Sequence, residues 1–332
     1  MRRRDGVPTV TMAPEIVLFD DPLDPRGWVL EPVRRRVAFA FPDVEWTVRA
    51  VGMVESWDAY DGAEVEGGRA GMAAACARLA EQYGMPIDEF LWFDDPPTSS
   101  WPACRAIAAA GLQDETADAV DGPVAARRLL RATREATFAR RRSMSDERAL
   151  EALVAGVPGL DGDAVAAALA DGRADAAFEA AREAAAALDA PGVTRSGGRC
   201  ELPAVLVRAD GEARVVSGIA DFAAYRETMA AVAGLDPVEG TPDVAAVLAR
   251  FSPEGWVARA ELEHLTGLGV AEVEAAAGDL VESGELLEER FAAEPFWRLA
   301  GYVEDDEESD GGDPRSSEVA SDDAAATTGD DA

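Results

Sequence analysis

The alternation of apolar and polar positions predicts an α/β unit interrupted by helices, then a second, smaller α/β unit. Ile16-Val17-Leu18-Phe19 is an unbroken apolar run, as expected of a strand covered on both faces. Residues 25–41 have helical periodicity, and Glu45–Val54 alternates through Trp46, Val48 and Ala50. Together these read as a βαβ unit with parallel strands and a right-handed crossover. Ala70–Tyr83 is a further helix, with Met72, Ala75, Leu79 and Ala80 on one face. A loop rich in proline and aspartate covers 84–101.

From Ser100 to about Leu188 only helical patterning remains. The pieces are Ala103–Ala110, Pro123–Arg141, Asp146–Val157, Asp161–Ala170 and Asp175–Leu188, each opening at or just after Ser, Asp or Pro. Strand patterning returns at Ala204–Val207 and Ala213–Val216, joined by Asp210-Gly211 as a hairpin. Ile219–Val232 closes this part as a helix.

Gly234–Gly240 reads as a linker. Residues 241–301 predict helix Pro242–Phe251, a short extended Gly255–Ala258, helices Ala260–Thr266 and Val270–Ser283, and strands Glu285–Phe291 and Phe296–Ala300. That order is winged-helix-like. Residues 1–13 and 303–332 carry too little apolar surface to offset chain entropy and are expected to be disordered.

The most informative stretch is Phe19-Asp20-Asp21-Pro22-Leu23-Asp24-Pro25-Arg26-Gly27-Trp28-Val29-Leu30-Glu31-Pro32. Asp24 followed by Pro25 is a helix start, an N-cap carboxylate and then a residue with no N–H to satisfy. The whole segment resembles the active-site segment of the DsbA-like thioredoxin superfamily, and most closely the FrnE-like branch that includes cytoplasmic protease adaptors. There Asp-Pro-Leu, a Cys-x-x-Cys pair, Trp and Leu-Glu-Pro occur in this order. Here Asp24 and Gly27 hold the two cysteine positions. The resemblance covers residues 14–234 and implies a thioredoxin-like fold with an all-helical insertion at about 100–190. Arg127–Phe138 and Ser145-Asp146 resemble stretches of that insertion. It also implies that Pro203 is the cis proline that faces the active-site helix.

Composition narrows the function. Asp and Glu total 64 against 31 basic residues, for a net charge of −33, and every basic residue is arginine. Such a surface repels nucleic acid and anionic membranes, so neither is expected as a partner. It fits a halophilic protein, whose carboxylates hold water and ions in concentrated salt, or in part a GC-rich genome. The expected third helix of the 241–301 unit carries Glu272, Glu274, Asp279 and Glu282 and no basic residue, which argues against groove reading. No run approaches the roughly 20 apolar residues of a membrane span. Met1–Asp5 is basic but has no apolar run behind it, so a cytoplasmic protein is expected.

Catalytic candidates are few. Cys76, Cys104 and Cys200 are far apart and form no Cys-x-x-Cys. Thiol–disulfide exchange needs a thiolate at an exposed helix N-terminus, and Asp24 cannot form a mixed disulfide. Cys200, three residues before Pro203, is the one thiol expected near the old active-site face. Ser99 and Ser100 read as caps. The single histidine, His264, lies in the winged unit, so no Ser-His-Asp set forms near Asp24. No cofactor, metal set or catalytic residue is assigned. The expectation is a redox-inactive adaptor that binds polypeptide in a groove formed by Asp24, Pro25, Trp28, Cys200 and Pro203, with a protein client. The alternative is a thioredoxin-fold enzyme, of the disulfide oxidoreductase or glutathione-type isomerase kind, working without Cys-x-x-Cys.

Overall fold

A computed structural model describes residues 14–57 and 67–302, which fall in one compact unit. The two expected disordered termini, 1–13 and 303–332, lie outside the described residues. The chain opens with β1 (Glu15–Asp20), α1 (Pro25–Val29), α2 (Glu31–Ala40) and β2 (Trp46–Ala50). β1 and β2 pair in parallel, Ile16 opposite Trp46 and Asp20 opposite Ala50. The apolar run of β1 is explained by its place between two cores. Ile16 and Leu18 pack into one face with Val37 and Phe178, while Val17 and Phe19 pack into the other with Leu188 and Leu206.

The helix expected over residues 25–41 is broken at Leu30 into α1 and α2. Pro32, in the first turn of α2, has no N–H for the carbonyl four residues back, so α1 cannot run straight through it.

After β2 come α3 (Gly68–Tyr83), α4 (Leu91–Asp94), α5 (Trp101–Ala110), α6 (Gly122–Arg134), α7 (Glu147–Ala155), α8 (Gly162–Ala170) and α9 (Arg173–Ala186). α4 is a short helix inside the stretch read as loop. α6 runs on as a π-turn over Glu135–Ala139 instead of reaching Arg141 as an α-helix. Asp121, Asp146 and Asp161 cap α6, α7 and α8 by accepting backbone N–H bonds. Ser100 does not cap α5: its hydroxyl donates to the Val54 carbonyl at 3.2 Å, and Ser99 Oγ accepts from Trp101 N at 3.1 Å instead.

Two short strands, β3 (Arg195–Ser196) and β4 (Arg199–Cys200), precede the hairpin β5 (Ala204–Ala209) and β6 (Glu212–Ser217). β5 runs antiparallel to β1 and to β6, giving the four-stranded order β2-β1-β5-β6. α10 (Phe222–Ala233) packs on β5 and β6, and Tyr225 and Met229 join the core with Ile16 and Leu18. This is a thioredoxin-like sheet with its helical insertion between β2 and β5.

The last elements are α11 (Val244–Phe251), β7 (Val257–Ala258), α12 (Arg259–Thr266), α13 (Val270–Glu282), β8 (Leu286–Phe291) and β9 (Glu294–Leu299), with the strands ordered β7-β9-β8. Val247, Leu248, Phe251, Leu262, Val273 and Trp297 form a core here. This part also contributes Trp256, Phe291 and Phe296 to a cluster with Trp28, Met85 and Phe138. Among the described residues no helix is long and apolar enough to cross a membrane.

Candidate functional site

Asp24 caps α1, accepting from Arg26 N at 3.0 Å. Its carboxylate is buried and also takes Arg26 Nε and Nη2 at 3.0 and 2.9 Å. Arg26 is half-buried and reaches across to Glu201 at 3.4 Å, tying the start of α1 to the loop before β5. Leu202–Pro203 in that loop is cis, where the resemblance places the cis proline. Pro203 is buried. Of the five residues expected to form a groove, Pro25 and Cys200 keep partial exposure.

Trp28 does not face solvent. It is fully buried, its indole N–H donates to the Pro86 carbonyl at 2.8 Å, and its ring stacks near Phe138 and under the Arg131 guanidinium, 4.5 Å from the centroid. Leu30 is buried as well. Trp28, expected among the groove residues, is core and offers no exposed ring to a groove. α3, the 84–90 segment and the C-terminal aromatics pack over Trp28 and Val29 of α1.

The second cysteine position is closed more decisively. A Cβ built on Gly27 would lie 2.0 Å from Arg134 Nη2 and 2.9 Å from an Asp20 carboxylate oxygen. Arg134, from the end of α6, occupies the space a resolving thiol would use. It is fully buried, paired with Asp20, and 3.1 Å from Glu31.

From there a ladder of buried charges continues. Glu31 also pairs with Arg34 and lies 4.0 Å from Arg131. Arg131 makes a two-pronged contact with Glu261 of α12, both bonds 3.0 Å, and donates to the Trp256 carbonyl at 2.7 Å. Glu261 further accepts from Ala258 N at 2.7 Å and faces Arg35 at 3.1 Å. Asp20, Arg134, Glu31, Arg131, Glu261 and Arg35 thus alternate in sign from β1 to the C-terminal part, all buried. Buried charges persist only when paired, and this alternation gives each member an opposite charge.

The electrostatics of the ladder are uneven. Burial pushes the Asp20 carboxyl up to about 6, against the pull of Arg134. Burial also opposes ionisation of Glu31, but Arg34, Arg131, Arg134 and Arg35 together outweigh it and hold Glu31 at about 2. Asp21 sits at the head of the same segment, raised by burial while accepting backbone N–H bonds from Leu23 and Met53.

No thiol is activated. Burial raises Cys200, whose sulfur contacts the Glu201 carbonyl at 3.7 Å. Cys104 is fully buried and raised well above the ordinary range, chiefly by desolvation and then by Asp21. Cys76 is pushed to about 11 by burial, although Trp92 donates to its sulfur at 3.4 Å. A nucleophilic cysteine needs the opposite shift. The sequence reading missed Arg131 and Arg134, the residues that define this site. Their spacing of three on an amphipathic helix was visible, but their partners are on distant segments.

No family model matches the chain. The chain is similar to the ClpXP adapter protein SpxH of Halalkalibacterium halodurans, 33% identical over 139 residues, which are 40% of this chain and 42% of that protein. It is 29% identical over 138 residues to the ClpXP adapter protein SpxH of Bacillus subtilis, covering 41% of this chain and 42% of that protein. The chain thus matches about two-fifths of the length of these curated relatives. A crystal structure from Nitrosomonas europaea, assigned provisionally as a protein disulfide isomerase, superposes with a TM-score of 0.52 at 15% identity over 66% of this chain and 97% of its own. That likeness speaks for the fold. The resemblance read from Asp-Pro-Leu through Leu-Glu-Pro is borne out as far as a thioredoxin-like fold and relatives named as ClpXP adapters.

Proposed function

We propose that this chain is a redox-inactive adaptor that binds a polypeptide and presents it to an ATP-dependent protease. The observation that carries this is the filling of the Gly27 position by Arg134, which leaves a thioredoxin fold with its dithiol chemistry structurally replaced. The matched relatives named as ClpXP adapters support the direction, with a protein as partner. A cytoplasmic location fits this reading, and the charge of −33 speaks against nucleic acid or an anionic membrane as the partner.

Client contact falls on what stays accessible around the start of α1: Pro25, Arg26, Cys200 and Glu201, with Asp24, Trp28 and Pro203 supporting that surface from beneath. The unit formed by residues 241–301, winged-helix-like in its order of elements, is an additional protein-contact module. Glu201 and Arg26 give the rim both signs of charge, which suits a polar, extended backbone better than a small apolar ligand. No cofactor is required for this activity.

The test has two stages. Tagged protein is recovered from its own cells in high salt and bound proteins are identified. The purified chain is then added to the cell's ATP-dependent protease with a recovered client. Faster degradation of the client supports the adaptor reading. Unchanged degradation of every recovered partner overturns it, and a thiol-exchange activity in the same preparation would favour an enzyme.

A further inference from the structure

A cavity of about 140 Å³ lies where α2, β2, α6 and the end of α11 meet, away from the start of α1. Its walls include Arg34, Arg35 and Trp46. Five nitrogens on these three side chains are buried and make no hydrogen bond among the described residues: Arg34 Nε, all three of Arg35, and Trp46 Nε1. Arg35 is 1% exposed and Trp46 4%. Arg35 Nη1 faces Glu261 across 3.1 Å, and its guanidinium lies 4.9 Å from the Phe251 ring centre. The rest of its donor capacity is unanswered.

The carboxylates on the same wall make no hydrogen bond to these nitrogens, although Glu254 feels the charges of Arg34 and Arg35. Glu254 accepts from Arg127 Nε at 3.0 Å, and Asp121 accepts from Val124 N at 2.9 Å as the cap of α6. Glu45 is exposed to solvent. Arg127 and Arg250 add positive charge at the edge, so the wall has four arginines against three acids in a chain of net charge −33. A larger cavity of about 500 Å³, with Glu115 and Asp118 on its wall, shares Asp121, Val124, Arg127, Arg250 and Glu254 with this one.

Buried donors without acceptors are costly, whereas buried acceptors placed among them are held strongly. Water both donates and accepts; a cluster of unanswered donors favours a species that only accepts. The volume holds a few atoms, since a water's share of liquid is about 30 Å³. We propose that this cavity binds a small inorganic anion, a halide or a compact oxyanion, held by the Arg35 guanidinium and the Trp46 indole N–H. The anion joins the thioredoxin sheet, the helical insertion and the C-terminal part at one point. It answers the one member of the buried ladder that has only a single carboxylate contact.

Crystals of the full chain soaked in bromide or in selenate give a direct reading, one ion for each source of the chemistry. An anomalous peak between Arg35 and Trp46 is expected with at least one of them; maps without a peak there for either ion would overturn the proposal. In solution, unfolding temperature is followed at fixed sodium concentration while gluconate, too large for the cavity, is replaced by chloride or phosphate. A saturable rise is expected in the wild type. Trp46→Phe keeps the ring and removes one donor, and should weaken the apparent affinity about tenfold, as loss of one hydrogen bond to a charged group does. Arg35→Met should abolish the response. Equal response to all anions, or an unchanged response in Trp46→Phe, would count against the site.

Discussion

Gly27 and Arg134 share one space: a Cβ on residue 27 would sit 2.0 Å from the Arg134 guanidinium. The guanidinium cannot retreat cheaply, because it is buried and paired with both Asp20 and Glu31. Gly27→Ala should therefore lose about 3 kcal/mol of stability, the upper end for overpacking, with strain on a buried ion pair. Urea unfolding measures this; an Ala variant as stable as the wild type would show that Arg134 moves freely.

The same relationship governs redox engineering. Restoring both thiols as Asp24→Cys with Gly27→Cys should fail to give a working dithiol, because the second thiol has no room beside Arg134. The wild-type chain should reduce no insulin at any pH, and Cys200→Ser should change nothing. Turnover that vanishes in Cys200→Ser would make Cys200 a catalyst despite its raised pKa.

Trp28→Ala should cost about 3–5 kcal/mol, as truncation of a buried aromatic does. The residue loses its contact with Phe138, its bond to the Pro86 carbonyl and the ring under Arg131. Phe90 and Phe93, 55% and 53% exposed, should tolerate alanine within about 0.5 kcal/mol. Melting curves of the three variants separate a core aromatic from surface ones, and a Trp28→Ala protein that melts with the wild type would contradict the burial.

Asp24→Ala should cost about 1 kcal/mol through the lost cap, and Asp24→Ser should recover most of it. Serine keeps the acceptor for Arg26 N but gives up the ion pair with the Arg26 side chain, which is partly solvated and contributes little. A Ser variant as damaged as Ala would mean that the Arg26 pairing, and not the cap, is the larger contribution.

Asp20 and Glu31 share Arg134 and should respond to pH in opposite senses. Asp20 ordinarily titrates at 3.8 and in the folded chain at about 6, so the folded state holds the extra proton between them. Its contribution falls as pH rises from about 4 to about 6 and stays lost above. Glu31 moves from 4.5 to about 2; its contribution is complete above 4.5 and disappears as pH falls through 2. That shift corresponds to about 3 kcal/mol. Stability measured from pH 2 to 7 should show a flattened acid limb in Glu31→Gln and a removed decline between pH 4 and 6 in Asp20→Asn. A Glu31→Gln profile parallel to the wild type below pH 4.5 would refute the assignment.

Much of the fold was legible because local patterns carried it. The run Ile16–Phe19, the Asp caps of α6, α7 and α8, and the Asp210-Gly211 turn each state their structure within a few residues. The break at Leu30 was written in Pro32 but was obscured by continuous apolar periodicity on both sides. The site was less legible. Arg131 and Arg134 entered only as part of the stretch Arg127–Phe138, and arginine is rarely buried unless paired. Their partners Glu261 and Asp20 are 130 and 114 residues away, and no spacing rule reaches that far. Trp28 was ambiguous for a related reason: what covers it comes from Pro86, Phe138 and the C-terminal aromatics, segments whose docking leaves no local signature.

The ladder that ends at Glu261 also bears on how the chain is made. A ribosome releases Asp20, Glu31 and Arg35 early and Arg131 and Arg134 midway, yet the carboxylate that answers Arg131 and Arg35 comes only with α12. Until then two guanidiniums destined for the interior have to stay in water, and the cluster around Trp28 lacks Trp256, Phe291 and Phe296. The thioredoxin half therefore shares its interior with the elements that follow it in the chain. Synthesis of the last third completes the first, and a nascent chain stalled before residue 261 would present the cell's quality-control machinery with an unfinished interior.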